Sequence, residues 1–214
     1  MSLIDFEKYD RIWCFGCSFT NYIWDCWPEL LHKKYRNVKN YGKQGAGNGF
    51  IFHKIMEIHS QNKISANDLV MVSWTNFFRE DRKLRLDTEL KWYAPGNLMN
   101  QKIYPKDYIK KWCDPKYFLE RDLMKILAIN SIFKDQIINF SMGGVDLFDQ
   151  YKNLHFSTSE YGAKIKEILS KFYPSFFEVL WNNDITKVLS TRDDSHPTTD
   201  EHKQYLKTVF GVEI

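Results

Sequence analysis

Ser18 is the residue at which chemistry could begin. It follows the apolar run RIWCF (Arg11 to Phe15) and Gly16-Cys17, so a hydroxyl stands where a buried strand should end. Near the other end of the chain, DDSHP places Asp193 three residues before His196. A serine hydroxyl is a competent nucleophile only when a base takes its proton. His196 is the candidate base. Asp193 is the candidate acid that would fix the imidazole tautomer, with Asp194 as its competitor. An attacked carbonyl also needs fixed donors for its developing oxyanion. The stretch NYGKQGAGNG (40–49) offers backbone N–H groups, with Gly45 the candidate alongside the Ser18 N–H. Ser73 to Asn76 (SWTN) adds the amide of Asn76.

Other chemistries fit these residues less well. Gly42, Gly45, Gly47 and Gly49 could mark a phosphate cradle. The stretch lacks the Gly-Lys-Ser/Thr that closes a P-loop and the third-glycine spacing of a dinucleotide fingerprint. Cys14-Phe15-Gly16-Cys17 is a C-x-x-C at a strand-to-helix boundary, the thiol redox alternative. Against it, Cys14 falls inside the predicted strand, and Asp193 and His196 would be left without a role. A zinc site would need two further ligands at suitable spacing, for which Cys26 and Cys113 are candidates that nothing else in the sequence supports.

These residues need elements to position them. Strands are predicted at Arg11–Phe15, Val38–Tyr41, Asp68–Trp74, Gln136–Phe140 and Ile185–Leu189. Helical spacing runs from Asn21 to Tyr35, with Pro28 marking a start or a kink. Further helices are predicted over Gly49–Asn62, Lys116–Phe133, 160–180 with a break at Pro174, and Thr199–Phe210. Asp114-Pro115 supplies the cap and first residue of the longest one. Strands alternating with helices predict an α/β sandwich with a mainly parallel sheet. In such folds, function gathers outside the carboxyl ends of the strands, where Ser18 should sit. Residues 79–115 are charged, aromatic and turn-rich, and read as a lid or insertion in a single domain spanning 1–214. Their aromatics, Trp92, Tyr93, Tyr104, Tyr108 and Trp112, would either line a cleft or form a satellite core. The run REDRKLR (79–85) reads as a solvated face, with Arg79 placed to meet an anionic group at the cleft.

The four segments resemble, in order, the four blocks of the SGNH (GDSL-type) hydrolases. Gly16-Cys17-Ser18-Phe19 resembles the nucleophile block, and Asn40 with Gly45 the second block. Trp74-Thr75-Asn76 resembles the Asn block, and Asp193, His196 and Pro197 the last. Trp74 and Phe77 stand where the family has glycine and aspartate, and Cys17 where it has aspartate. The resemblance implies a three-layer α/β/α fold with a flavodoxin-like sheet. It implies a serine esterase acting on a small acyl ester, such as an acetyl ester, with Ser18, His196 and Asp193 as the triad, and Gly45 and Asn76 at the oxyanion. It implies no metal and no organic cofactor. A non-catalytic glycan- or acyl-binding protein on the same fold is the alternative.

Composition agrees with a globular protein. The 214 residues are 43% hydrophobic, 16% aromatic and 27% charged, with a net charge of +3. That charge is too balanced to call for a nucleic-acid partner. No secretory signal and no membrane-length apolar run is visible, so a cytoplasmic protein with reduced cysteines and no membrane partner is expected. The expected partner is a small-molecule or glycan ester.

Overall fold

The structure, a computed structural model, describes residues 4–86, 88–93, 96, 104–143, 160–184, 186 and 192–214. In chain order, the strands are β1 (Ile12–Phe15), β2 (Val38–Asn40), β3 (Leu69–Trp74), β4 (Arg82–Leu86), β5 (Glu89–Tyr93) and β6 (Ile137–Ser141). The helices are α1 (Trp27–Lys34), α2 (Asn48–Ser60), α3 (Lys106–Trp112), α4 (Pro115–Phe133), α5 (Glu160–Ser170), α6 (Phe176–Trp181) and α7 (Thr199–Phe210). The main sheet has the order β2-β1-β3-β6, and every pairing in it is parallel.

The strand sequences explain the layering. Every residue of β1 and β3 is buried, as in strands covered on both faces. Side chains alternate between those faces. Ile12, Cys14, Leu69, Met71, Ile138 and Phe140 pack with Trp27 and Leu30 of α1, Phe176 of α6, and Tyr205 and Phe210 of α7. Trp13, Phe15, Val70, Val72 and Trp74 pack with Ile51 and Ile55 of α2, Leu123 and Ile126 of α4, and Ile165 of α5. The result is a helix–sheet–helix sandwich.

Local signals set the helix ends. Asp114 accepts hydrogen bonds from the N–H groups of Lys116 and Tyr117 at the start of α4. Such a cap is worth about 1 kcal/mol. Pro28 lies in the first turn of α1, where its missing N–H costs nothing. Residues 21–26, which share the helical spacing of the sequence, are a loop instead. Their aromatics turn toward the far end of the chain, as described below. Ser175 and Thr198 form capping boxes with Glu178 and Glu201 at the starts of α6 and α7.

Residues 79–115 contain more order than their composition suggests. β4 and β5 form an antiparallel hairpin, with Arg82 opposite Tyr93. Its side chains are largely exposed, but Trp92 packs edge-on against Phe50 and His53 of α2. Lys43 donates to the Trp92 carbonyl at 3.0 Å. Tyr104 and Tyr108 stack on each other at 5.5 Å and join the core beside Phe77 and Phe118. Trp112 remains 60% exposed. The strand expected at Ile185–Leu189 lies outside the described residues, apart from Thr186. Among the described residues, no helix is long and apolar enough to cross a membrane.

Candidate active site

From β1 the chain runs through α1 to β2 on one side of the strand, then crosses through α2 to β3 on the other. In open α/β sheets such a reversal marks where a crevice forms beyond the carboxyl ends of the strands, here beyond β1. The turn after β1 carries Ser18, and the loop after β2 carries Gly45.

The turn that carries Ser18 is tight. The N–H groups of Thr20 and Asn21 both donate to the Cys17 carbonyl, at 2.9 and 3.2 Å. Gly16 makes this possible, because a Cβ there would lie 2.9 Å from Thr20 Cβ and 3.1 Å from Ser73 Cβ. Asn40 braces the turn from β2. Its amide nitrogen donates to the Thr20 carbonyl at 2.8 Å and to Glu29 at 2.5 Å, while its oxygen accepts from the Gly42 N–H at 2.8 Å. One side chain thus joins the Ser18 turn, the glycine loop and α1.

His196 arrives from the segment just before α7. Its Nε2 lies 2.8 Å from Ser18 Oγ, and its Nδ1 lies 2.6 Å from Asp194 Oδ1. Asp193, the acid expected from the sequence, is exposed and makes no hydrogen bond to His196; the carboxylate that meets the ring is that of Asp194. The reason is the local turn. Asp194 Oδ1 also accepts from the His196 backbone N–H at 2.8 Å, an aspartate folding back onto the residue two positions later. That turn aims the carboxylate and the ring in the same direction.

The Asp194 carboxyl is held below its ordinary value. Burial would raise it, but the His196 N–H, the Tyr22 hydroxyl and the His196 ring outweigh that effect. An ionised Asp194 can only accept, so Nδ1 carries a proton, and in a neutral imidazole Nε2 is then the acceptor that faces Ser18. Ser18 itself is only 5% exposed. Phe19 meets the imidazole edge-on at 5.6 Å.

Gly45 has a φ of +73°, in the left-handed region that glycine adopts without strain. Among the described residues, neither the Ser18 nor the Gly45 N–H bonds a backbone carbonyl. Asn76 sits in the turn after β3, but its oxygen accepts from the Phe78 N–H at 2.7 Å. Asn76 lines a small cavity with Asn48, Phe77, Asp122 and Ile126, and no hydrogen bond joins its side chain to Ser18 or His196. Arg79 donates to the Ala46 carbonyl at 2.8 Å, which ties the insertion to the glycine loop. Asp81 reinforces that tie by accepting from the Gly47 and Phe50 N–H groups at 2.8 and 2.7 Å.

The thiol alternative has little support in this geometry. Cys14 and Cys17 are both fully buried free thiols, and burial pushes Cys14 well above its ordinary value. A buried, protonated thiol is a poor nucleophile and a poor metal ligand. Among the described residues, no three His, Cys, Asp or Glu side chains converge as a metal-holding group.

No family model matches the chain, and no curated protein matches it. Solved structures do. One is a member of the lipolytic protein G-D-S-L family from Veillonella parvula DSM 2008, at 12% identity over 92% of this chain and 96% of that one, with a TM-score of 0.47. Another is AlinE4, an SGNH-hydrolase family esterase, at 17% identity over 95% and 94%, TM-score 0.46. A third is a variant of Axe2, an acetyl xylan esterase from Geobacillus stearothermophilus, at 15% identity over 97% and 98%, TM-score 0.47. These neighbours are SGNH/GDSL-type hydrolases and esterases.

Proposed function

We propose that the protein is a serine hydrolase that cleaves a small acyl ester. The observation that carries this reading is the unbroken line from Asp194 Oδ1 through His196 to Ser18 Oγ, at 2.6 and 2.8 Å. In the proposed mechanism, Ser18 Oγ attacks the ester carbonyl while His196 Nε2 takes its proton. Asp194 holds the ring and stabilises the imidazolium. The Ser18 and Gly45 N–H groups are the proposed donors to the oxyanion. His196 then gives the proton to the departing alcohol, leaving an acyl group on Ser18. Water, deprotonated by His196, releases the acid and restores the serine. The tethered segment around Arg79, Asp81 and the hairpin is the proposed substrate-selecting element.

The test is labelling with a small fluorophosphonate, with the modified residue located by mass spectrometry. Labelling of Ser18 that disappears in Ser18→Ala and His196→Ala is the expected result. A folded wild-type protein that leaves Ser18 unlabelled overturns the hydrolase reading.

A further inference from the structure

Tyr22 belongs to no motif in the sequence, yet it touches two members of the proposed triad. Its ring stacks on the His196 imidazole, with centroids 4.0 Å apart and planes 14° from parallel. Its hydroxyl donates to Asp194 Oδ2 at 2.7 Å, the carboxylate oxygen that His196 leaves free. The loop holding Tyr22 is itself pinned. Trp24 Nε1 donates to the Pro197 carbonyl at 2.8 Å, and the Thr199 hydroxyl donates to the Asp25 carbonyl at 3.1 Å. Trp24 also packs edge-on against the Tyr22 ring at 4.7 Å. The contacts of Trp24 and Asp25 with residues 197–199 therefore hold the loop that brings Tyr22 to Asp194 and His196.

We infer that Tyr22 is a positioning residue for the acid–base machinery, an inference that rests on the serine-hydrolase reading above. It acts in two separable ways. The hydroxyl fixes the carboxylate plane by occupying Oδ2, so that Oδ1 stays directed at Nδ1. It also draws charge from Asp194 and weakens that carboxylate's pull on the imidazole proton. The ring lies over one face of the imidazole and stops it rotating away from Ser18 Oγ. Its π face also favours the positive charge that His196 gains as Ser18 attacks.

The two effects push the pH dependence of the site in opposite directions, and that separates them from simple structural support. Removing only the hydroxyl leaves Asp194 a stronger partner for the imidazolium. Removing the ring takes away a face that stabilises the same cation.

The experiment measures the second-order rate of fluorophosphonate labelling at Ser18 against pH, in wild type, Tyr22→Phe and Tyr22→Leu, with thermal melts confirming the fold of each. Tyr22→Phe should slow labelling by about 3- to 10-fold and move the acidic limb of the profile to higher pH, as expected for loss of one charge-assisted hydrogen bond. Tyr22→Leu should slow it by about 30- to 100-fold, with the acidic limb below that of Tyr22→Phe, because the stacked face is lost as well. Wild-type rates and profiles in both variants would overturn the inference. So would equal losses in both with an unmoved acidic limb, which mark a merely structural residue. If Tyr22→Leu does not fold, the rate and limb position of Tyr22→Phe decide alone. A wild-type protein that is never labelled refutes the hydrolase reading itself, a result distinguishable from either of these.

Discussion

Lowering the pH from 7 to 5 should destabilise the protein through His202, one helical turn beyond the Thr198 cap. The side chain is 1% exposed, and neither ring nitrogen has a hydrogen-bond partner. Its ring meets Phe176 edge-on at 5.3 Å. Burial lowers its pKa to about 3, with Glu201 opposing and His196 reinforcing the shift. The unfolded chain, with an ordinary histidine near 6.5, therefore takes up a proton that the folded chain refuses. Stability contributed by the neutral ring is complete above the unfolded value and declines as pH falls toward the folded one. With those two values, the loss between pH 7 and pH 5 is about 2 kcal/mol. Urea unfolding followed by tryptophan fluorescence at the two pH values measures it directly. His202→Leu removes the titrating group, so most of the wild-type difference between pH 7 and pH 5 should disappear. A His202→Leu protein that loses as much stability as wild type between pH 7 and pH 5 would refute the reasoning, because the proton would then be binding elsewhere.

Other outcomes follow from the same geometry. Asp194→Asn should lower esterase turnover by on the order of 10³- to 10⁴-fold, as expected for a triad acid that sets the tautomer, while Asp193→Asn should leave it near wild type; kcat measured with an activated ester decides between them. Gly16→Ala forces a Cβ into Thr20 and Ser73, and should cost about 1–3 kcal/mol in denaturant unfolding together with loss of labelling at Ser18. Glu201 is held below its ordinary value: burial would raise it, but the Thr198 N–H, Trp181 Nε1 and Arg192 outweigh that. Its depressed folded value contributes stability above the unfolded carboxylate range that is lost as pH falls through the folded value. Glu201→Gln should therefore flatten the stability profile below about pH 4.5, read by thermal melts.

The sheet was readable because β1 and β3 are continuous apolar runs, and parallel strands covered on both faces require that pattern. The break at Pro28 and the cap at Asp114 were readable for equally local reasons. The hairpin of β4 and β5 was not. Residues 82–85 of β4 and all of β5 apart from Trp92 are exposed, so no alternation marks these segments as strands. The choice between Asp193 and Asp194 turns on backbone dihedrals across three residues, which residue types do not fix. Tyr22 was hidden for a different reason. Its loop shares the helical spacing of α1, and its partner Asp194 lies 172 residues away. A signal was present in the form of three aromatic or apolar side chains, Tyr22, Ile23 and Trp24, before a helix whose first turn already had its proline.

The distance along the chain between Ser18 and His196 has a consequence for synthesis. The two residues are 178 positions apart, and the strap between residues 22–25 and 194–199 joins the same two regions. Closing a loop of that length carries an entropic cost that rises only slowly with its size, so the thermodynamic burden is modest. The temporal effect is larger. A ribosome-bound chain can assemble β1, β2 and β3 while α7 is still unmade, but it presents Ser18 without a base. Reactivity at Ser18 should therefore appear only after the histidine segment has emerged and docked. A fluorophosphonate pulse on stalled nascent chains of increasing length would report that final docking step, residue by residue.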